Sequence, residues 1–303
     1  MREDLPSSTA ALIAAATLFL ARDSGVSDLV PEGAAIWCAR CLEALSPSFM
    51  DAVRTVSNPA LRWAPRLAER MTVPGLMVHF MLRKRWIEAA VRASVDDGCQ
   101  QVVVVGAGFD TLALRLCEEF PRVHFTEIDH PATQKYKRLA VERQGPAGNL
   151  HFIAADLARQ SLEDVLSASE WFQPDARSTF VIEGLLMYLS DDDVAVVFGA
   201  LSAVSLASGR IVFTVMEPTP DGRAAFQNAT PLVRRLLSHW SEPFKSSLPR
   251  DAVPRFLDAF GFSLLGFATA ETLRSRYLTP AGQEDMILAQ GEMIVVAERK
   301  GSG

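Results

Sequence analysis

Apolar residues recur along this chain with two different periods, and the change falls near residue 100. Before it the spacing is helical. Ser7, Ser8 and Thr9 can cap a helix through Ala21, and Ala34 to Leu45 and Ala60 to Arg70 make two more, with Pro31, Pro47 and Pro59 as punctuation. A longer helix is predicted from about Leu76 to Val95; Leu76, Phe80, Ile87 and Val91 recur at near-helical spacing, interrupted by Arg83, Lys84 and Arg85. From Gln101 the pattern becomes that of strands. Gln101–Val105 is a β-branched run ending in Gly106, the mark of a strand buried on both faces. A helix over Thr111–Phe120 follows, and then Val123–Ile128, Leu150–Ala154, Thr179–Ile182 and Ile211–Val215 alternate with helical segments. That rhythm predicts a doubly wound α/β sheet. Phe262–Gly266 and Met293–Ala297 read as two further strands. The stretch between Glu217 and Phe260, with a helical piece over Pro231–Trp240, is long for a connection and reads as an insertion that covers a site.

Composition narrows the class without naming it. The chain has 303 residues, 49% hydrophobic and 22% charged, which is ordinary for a globular protein and excludes disorder. A net charge of −6 argues against nucleic acid or an anionic membrane as partner. Four cysteines make no disulfide framework at this length. Cys38 and Cys41 form a lone CxxC without a second pair or a histidine at ligand spacing, so they read as small residues on one helix face and no metal is expected. Thr9–Ala21 is too short to span a bilayer, and Arg2, Glu3 and Asp4 before it are mixed in sign, unlike a secretory start. The expectation is a cytoplasmic protein, monomer or homodimer.

The candidate chemistry begins at Gly106-Ala107-Gly108-Phe109-Asp110-Thr111, a GxG between the first buried strand and a helix. Glycines there let the turn tighten and let a ligand lie against backbone. A dinucleotide site wants a third glycine where Thr111 stands, and Asp110 is a poor neighbour for a diphosphate. A P-loop needs GK[ST], which is absent. A cofactor without phosphate fits better, and S-adenosylmethionine is the common one. Asp110 also suits a helix cap, with Thr111 assisting. Asp129 ends the second strand about twenty residues on, where a carboxylate can accept from ribose hydroxyls. Asp156 and Leu157 follow the third strand, where an adenine would lie. Glu183 closes the apolar run Phe180–Ile182 and is placed to hold an ammonium.

Together these residues resemble the leucine carboxyl methyltransferase family, which groups eukaryotic enzymes that methylate a protein C-terminal carboxylate with bacterial relatives, including polyketide O-methyltransferases. The resemblance covers most of the chain. Ser8-Thr9-Ala10 resembles the opening of the bacterial members, Gly106–Thr111 the family's GxGxDT turn, and Arg115 follows at its usual place. Glu127-Ile128-Asp129-His130-Pro131 with Lys135 is similar to the ribose segment, Asp156-Leu157 to the adenine pair, and Glu183-Gly184-Leu185-Leu186-Met187-Tyr188-Leu189 to the E-x-x-L-x-Y-L block. The resemblance implies that Arg83 grips the cofactor carboxylate, that Glu183 meets its amino group, and that Tyr188 faces the acceptor. Lys84 and Glu88 depart from the pattern, where the family usually has Thr and Asp.

The implied fold is a Rossmann-like class I methyltransferase sheet of seven strands, the last antiparallel, with an N-terminal helical cap over residues 1–75. Residues 76–303 form the methyltransferase domain, with the insertion at about 217–260. Cofactor contacts are expected from Arg83, Gly106, Ala107, Gly108, Asp110, Thr111, Asp129, His130, Asp156, Leu157, Glu183 and Gly184, and catalytic roles from Tyr188, Arg83 and His79. A carboxylate acceptor needs no base, whereas a hydroxyl does. His79, four residues before Arg83 on the same helix face, is the candidate, with His130 next. The expected function is methyl transfer from S-adenosylmethionine to a carboxylate or hydroxyl of a small natural product, polyketide-like. A protein C-terminus is the alternative acceptor, and a nicotinamide-dependent oxidoreductase is the alternative class.

Overall fold

The computed structural model describes residues 6–145, 147–205, 209–231, 243–279 and 283–300. Five helices come first: α1 (Ser8–Ala21), α2 (Ala34–Leu45), α3 (Pro47–Val56), α4 (Trp63–Thr72) and α5 (Leu76–Asp96). Then β1 (Gln101–Val105), α6 (Leu112–Glu119), β2 (His124–Asp129), α7 (Pro131–Glu142), β3 (Leu150–Ala154), α8 (Leu162–Ser167), β4 (Ser178–Ile182), α9 (Asp191–Val204) and β5 (Arg210–Met216) alternate. The chain closes with α10 (Val253–Ala259), β6 (Phe262–Ala268), α11 (Ala270–Tyr277) and β7 (Glu292–Arg299).

The seven strands form one sheet in the order β3-β2-β1-β4-β5-β7-β6. β1 to β5 are parallel and β7 runs antiparallel to both β5 and β6. The pleat explains the unbroken valine run of β1. Val102 and Val104 join the core on one face, with α5, α6 and α11, while Val103 and Val105 join the other, with α8, α9 and α10. Each valine fully removed from water contributes about 1.5–3 kcal/mol, so neither face tolerates a polar substitution. α1 is apolar all round for a related reason. Ala11, Ala14 and Leu18 pack with α2, α3 and Phe109, whereas Phe19 and Leu20 belong to the core under the sheet. It bridges two cores, and no helix among the described residues is long and apolar enough to cross a membrane.

Three expectations need correction. Pro47 does not punctuate: it opens α3, with Ser46 as N-cap accepting from Phe49 N at 3.3 Å. The helix expected from Ala60 starts at Trp63, because Asn58 holds a turn through its carbonyl and side chain. The insertion expected to reach Phe260 takes in α10, whose Val253 and Leu257 belong to the sheet core. The helical piece expected over Pro231–Trp240 falls almost wholly on residues 232–242, outside the described residues.

Candidate active site

β1 delivers the chain into a turn that only glycine fits. Gly106 has φ +72°, and a Cβ there would stand 3.0 Å from Leu185 Cδ2. Gly108 has φ +50°, and its Cβ would lie 3.1 Å from that of Ala10, so the first turn of α1 closes directly over the glycine turn. Ser7 N donates to Thr133 Oγ1 at 3.0 Å, which fixes the start of α1 on the first turn of α7. Ala107 between the glycines is buried.

Asp129, the last residue of β2, is set against this turn. Gly108 N donates to its Oδ2 at 2.6 Å and His130 N to its Oδ1 at 2.7 Å, while burial pushes its carboxyl above the ordinary value. His130 caps α7, its Nδ1 accepting from Ala132 N at 3.2 Å, a role its sequence position before Pro131 did not suggest. Its Nε2 lies 3.9 Å from Asp156 Oδ2, and Asp156 Oδ1 accepts from Ala158 N at 3.0 Å. His130, Lys135, Asp156 and Arg159 line a cleft of about 530 Å³ beyond the ends of β2 and β3. Leu157, half-buried, packs on the adjoining sheet core.

On the other side of the turn the ionic side chains interlock. Arg83, from the middle of α5, donates to Glu183 Oε1 from Nε at 2.9 Å and from Nη2 at 2.7 Å, and its Nη1 donates to Glu292 Oε1 at 2.8 Å. Lys84 Nζ donates to Asp110 Oδ1 at 2.6 Å and to Glu183 Oε1 at 3.0 Å. His79 Nε2 lies 2.8 Å from Glu292 Oε2. Burial works against the charges of Arg83, Lys84, Asp110 and Glu292, and their partners outweigh it. Glu292 and Glu183 hold Arg83 above its ordinary value, and Asp110 and Glu183 do so for Lys84. Lys84 and Lys137 drive the Asp110 carboxyl far down, and Arg83 with His79 brings Glu292 to about 2. Two cations thus face three carboxylates in a space where Arg83 is 3% and Glu292 0% exposed. Behind the turn, Lys137 Nζ sits 2.6 Å from Glu127 Oε2, and burial lifts the Glu127 carboxyl to about 7 despite that neighbour.

The structure therefore brings Arg83, Gly106, Gly108, Asp110, Asp129, Glu183 and Gly184 to one sheet edge. Arg83 is held there by two protein carboxylates, Glu183 and Glu292. Thr111 turns away from the turn: its Oγ1 accepts from Arg115 Nε at 3.1 Å, and Arg115 Nη1 donates to Glu88 Oε2 at 2.6 Å. The N-cap of α6 is Thr111; Asp110, one residue earlier, accepts from Leu112 N through Oδ2 at 3.2 Å, while Oδ1 serves Lys84. The two departures, Lys84 and Glu88, are thus both built into the site's frame. Glu292 is the member of this charged cluster that sequence reasoning missed. A carboxylate opening an apolar strand just after Gly291 is the same signal that singled out Glu183.

Tyr188 ends the helical turn Leu186–Tyr188 after β4 and meets the Phe244 ring edge-on at 5.4 Å. Phe244 meets Phe226 at 5.9 Å, and Phe226 meets the His79 ring at 6.4 Å. This aromatic wall runs from the β4 loop through the insertion to α5, beside the charged cluster.

The strand order, the antiparallel β7 and the glycine turn at the switch point define the class I methyltransferase fold. A solved structure of a candidate methyltransferase from Thermobifida fusca YX superposes with TM-score 0.57 at 19% identity, covering 87% of this chain and 94% of that one. A family model described as leucine carboxyl methyltransferase matches residues 19–202, more than half of the sequence, and the chain belongs to that family. A Mycobacterium marinum protein named as a candidate S-adenosyl-L-methionine-dependent methyltransferase is 29% identical over 211 residues, 66% of this chain and 65% of its own length. One from Parafrankia sp. (strain EAN1pec), named likewise, is 27% identical over 174 residues, 55% of this chain and 53% of its own. The matches thus span between half and two thirds of these relatives.

Proposed function

We propose that this chain is a methyltransferase that binds S-adenosylmethionine across the carboxyl ends of β1 to β4 and methylates an oxygen of a small-molecule acceptor, polyketide-like. The observation that carries the reading is the sign of the charge around the glycine turn. Asp110, Asp129 and Glu183 stand at it, with Glu292 behind Arg83 and Glu127 behind the turn, five carboxylates against Arg83, Lys84 and Lys137. A pyrophosphate would meet that excess of carboxylate unfavourably, whereas a ligand carrying a sulfonium and an ammonium relieves it. Asp129 suits the ribose, Glu183 the ammonium, and Asp156 with Leu157 the adenine. Bound S-adenosylmethionine supplies a methyl group made electrophilic by its sulfonium.

The chain's own contribution is alignment and exclusion of water. α1 over Gly108 and the insertion beside Tyr188 supply the cover, and Tyr188 is placed to orient the acceptor. The family's name favours a carboxyl acceptor, and a protein C-terminus remains the second reading for the same chemistry. Calorimetric titration tests the cofactor assignment. Micromolar binding of S-adenosylhomocysteine without binding of NADH or NADPH is expected; nicotinamide binding would overturn it.

A further inference from the structure

Cofactor binding leaves one arrangement unexplained. His79 is 1% exposed, and its Nδ1 has no hydrogen-bond partner among the described residues. A buried polar nitrogen left unmatched is uncommon in a folded protein and calls for a reason. Its other nitrogen, Nε2, faces Glu292 Oε2 at 2.8 Å. Arg83 Nη1 contacts both oxygens of Glu292, at 2.8 and 3.0 Å, which keeps that carboxylate ionised. An ionised acceptor opposite Nε2 requires a proton on that nitrogen, and in the neutral ring the lone pair then sits on Nδ1. The ring of Phe226 meets this histidine edge-on at 6.4 Å, followed by Phe244 and Tyr188. The charged groups around it are Glu292 from β7, Arg83 one turn along α5, and Glu183 after β4. Glu217 and Arg250 share a cavity of about 410 Å³ with Glu292.

We propose that His79 is the general base of the reaction, oriented by Glu292, and that the acceptor is a hydroxyl on a planar aromatic body. The proposal rests on the methyltransferase reading above. A carboxylate acceptor is already ionised near neutral pH and has no use for a base, whereas a hydroxyl must lose its proton as it attacks. The acceptor oxygen bonds to the methyl carbon while the carbon–sulfur bond breaks, its electron pair passing to sulfur. The hydroxyl proton moves to His79 Nδ1. One positive charge is lost at sulfur and one appears on the imidazole, where Glu292 stabilises it until the proton returns to water. Glu292 is a positioning residue, acting through His79 and Arg83.

The test uses 2-naphthol and 2-naphthoate as probe acceptors with His79→Gln and Glu292→Gln. Gln at position 79 can still donate to Glu292, so H79Q should bind S-adenosylhomocysteine as the wild type does. The wild type should methylate 2-naphthol, faster as pH rises, and H79Q should lose about 100-fold or more of that rate. E292Q should displace the rising limb to lower pH. Nitrogen-15 NMR of the histidines in the unliganded protein should show His79 as the Nε2–H tautomer, a readout independent of turnover. Transfer to 2-naphthoate alone, transfer to neither probe, an undiminished H79Q rate, or the Nδ1–H tautomer overturns the proposal. Loss of S-adenosylhomocysteine binding by the wild type would instead remove the methyltransferase reading beneath it.

Discussion

Replacing Glu183 tests the charged cluster most sharply, because one oxygen, Oε1, accepts from Arg83 Nε, Arg83 Nη2 and Lys84 Nζ. Removing it does not orphan either cation, since Arg83 keeps Glu292 and Lys84 keeps Asp110. The cost in stability should therefore fall below the roughly 3–5 kcal/mol typical of breaking an isolated buried pair. The cost in cofactor binding should be larger in relative terms. A hydrogen bond to a charged group contributes about 1.5–3 kcal/mol, so Glu183→Ala should weaken S-adenosylhomocysteine binding by roughly 10- to 150-fold. Glu183→Gln keeps an acceptor oxygen and removes only the charge, so its loss should be smaller, about 5- to 12-fold. Calorimetric titration of the three proteins, with thermal melting as a check on folding, gives both quantities. A folded Glu183→Ala protein that binds within threefold of wild type refutes the assignment of Glu183 to the cofactor.

Other predictions follow from other contacts. Glu292 has its carboxyl lowered from 4.5 to about 2, so the stabilisation is complete above pH 4.5 and is lost as pH falls toward 2. By linkage it is worth about 3 kcal/mol, and E292Q should flatten that acid limb of an unfolding curve; an unchanged limb contradicts the pairing. Lys137→Met should cost less in urea unfolding at neutral pH than the about 3–5 kcal/mol of a stranded charge, because Glu127, already lifted to about 7, takes up a proton, and adding Glu127→Leu should recover much of the loss; equal stability of the single and double variants argues against a coupled pair. Gly75→Ala should lower stability by about 3 kcal/mol or more, combining a positive φ with a clash. The φ is +81° and the new Cβ would sit 2.1 Å from the Ile287 carbonyl oxygen, so an unshifted melting temperature rules the close approach out. Tyr188→Phe should lower turnover while leaving S-adenosylhomocysteine affinity unchanged, and a wild-type rate would return Tyr188 to a packing role.

The sheet was legible because its strands are buried on both faces. Val102–Val105 and Phe180–Ile182 are apolar throughout, Ile211–Val215 is so but for Thr214, and Gly106 and Glu183 end the first two runs. Helix boundaries in the cap were less legible, since proline reads both as a stop and as a first helical residue; Ser46 before Pro47 decides for the second. The glycine turn, Asp129 and Glu183 could be placed because each closes a strand at the same sheet edge. The charged frame could not. His79 and Glu292 are 213 positions apart, and antiparallel β7 brings Glu292 to that edge by its beginning and not its end. Lys84 looked like a departure from the family pattern, and only the fold shows it bridging Asp110 to Glu183. The hydrogen bond from Arg115 to the Thr111 hydroxyl, one helical turn back, was likewise invisible in the motif.

The central claim is that the carboxylate-rich turn accepts a cationic, phosphate-free cofactor. Calorimetric titration of the purified protein with S-adenosylmethionine and S-adenosylhomocysteine, with NADH and NADPH in parallel, tests it most directly. The account predicts micromolar binding of the first two and none of the nicotinamides. Binding of NADH or NADPH, with no heat from S-adenosylhomocysteine, would contradict it.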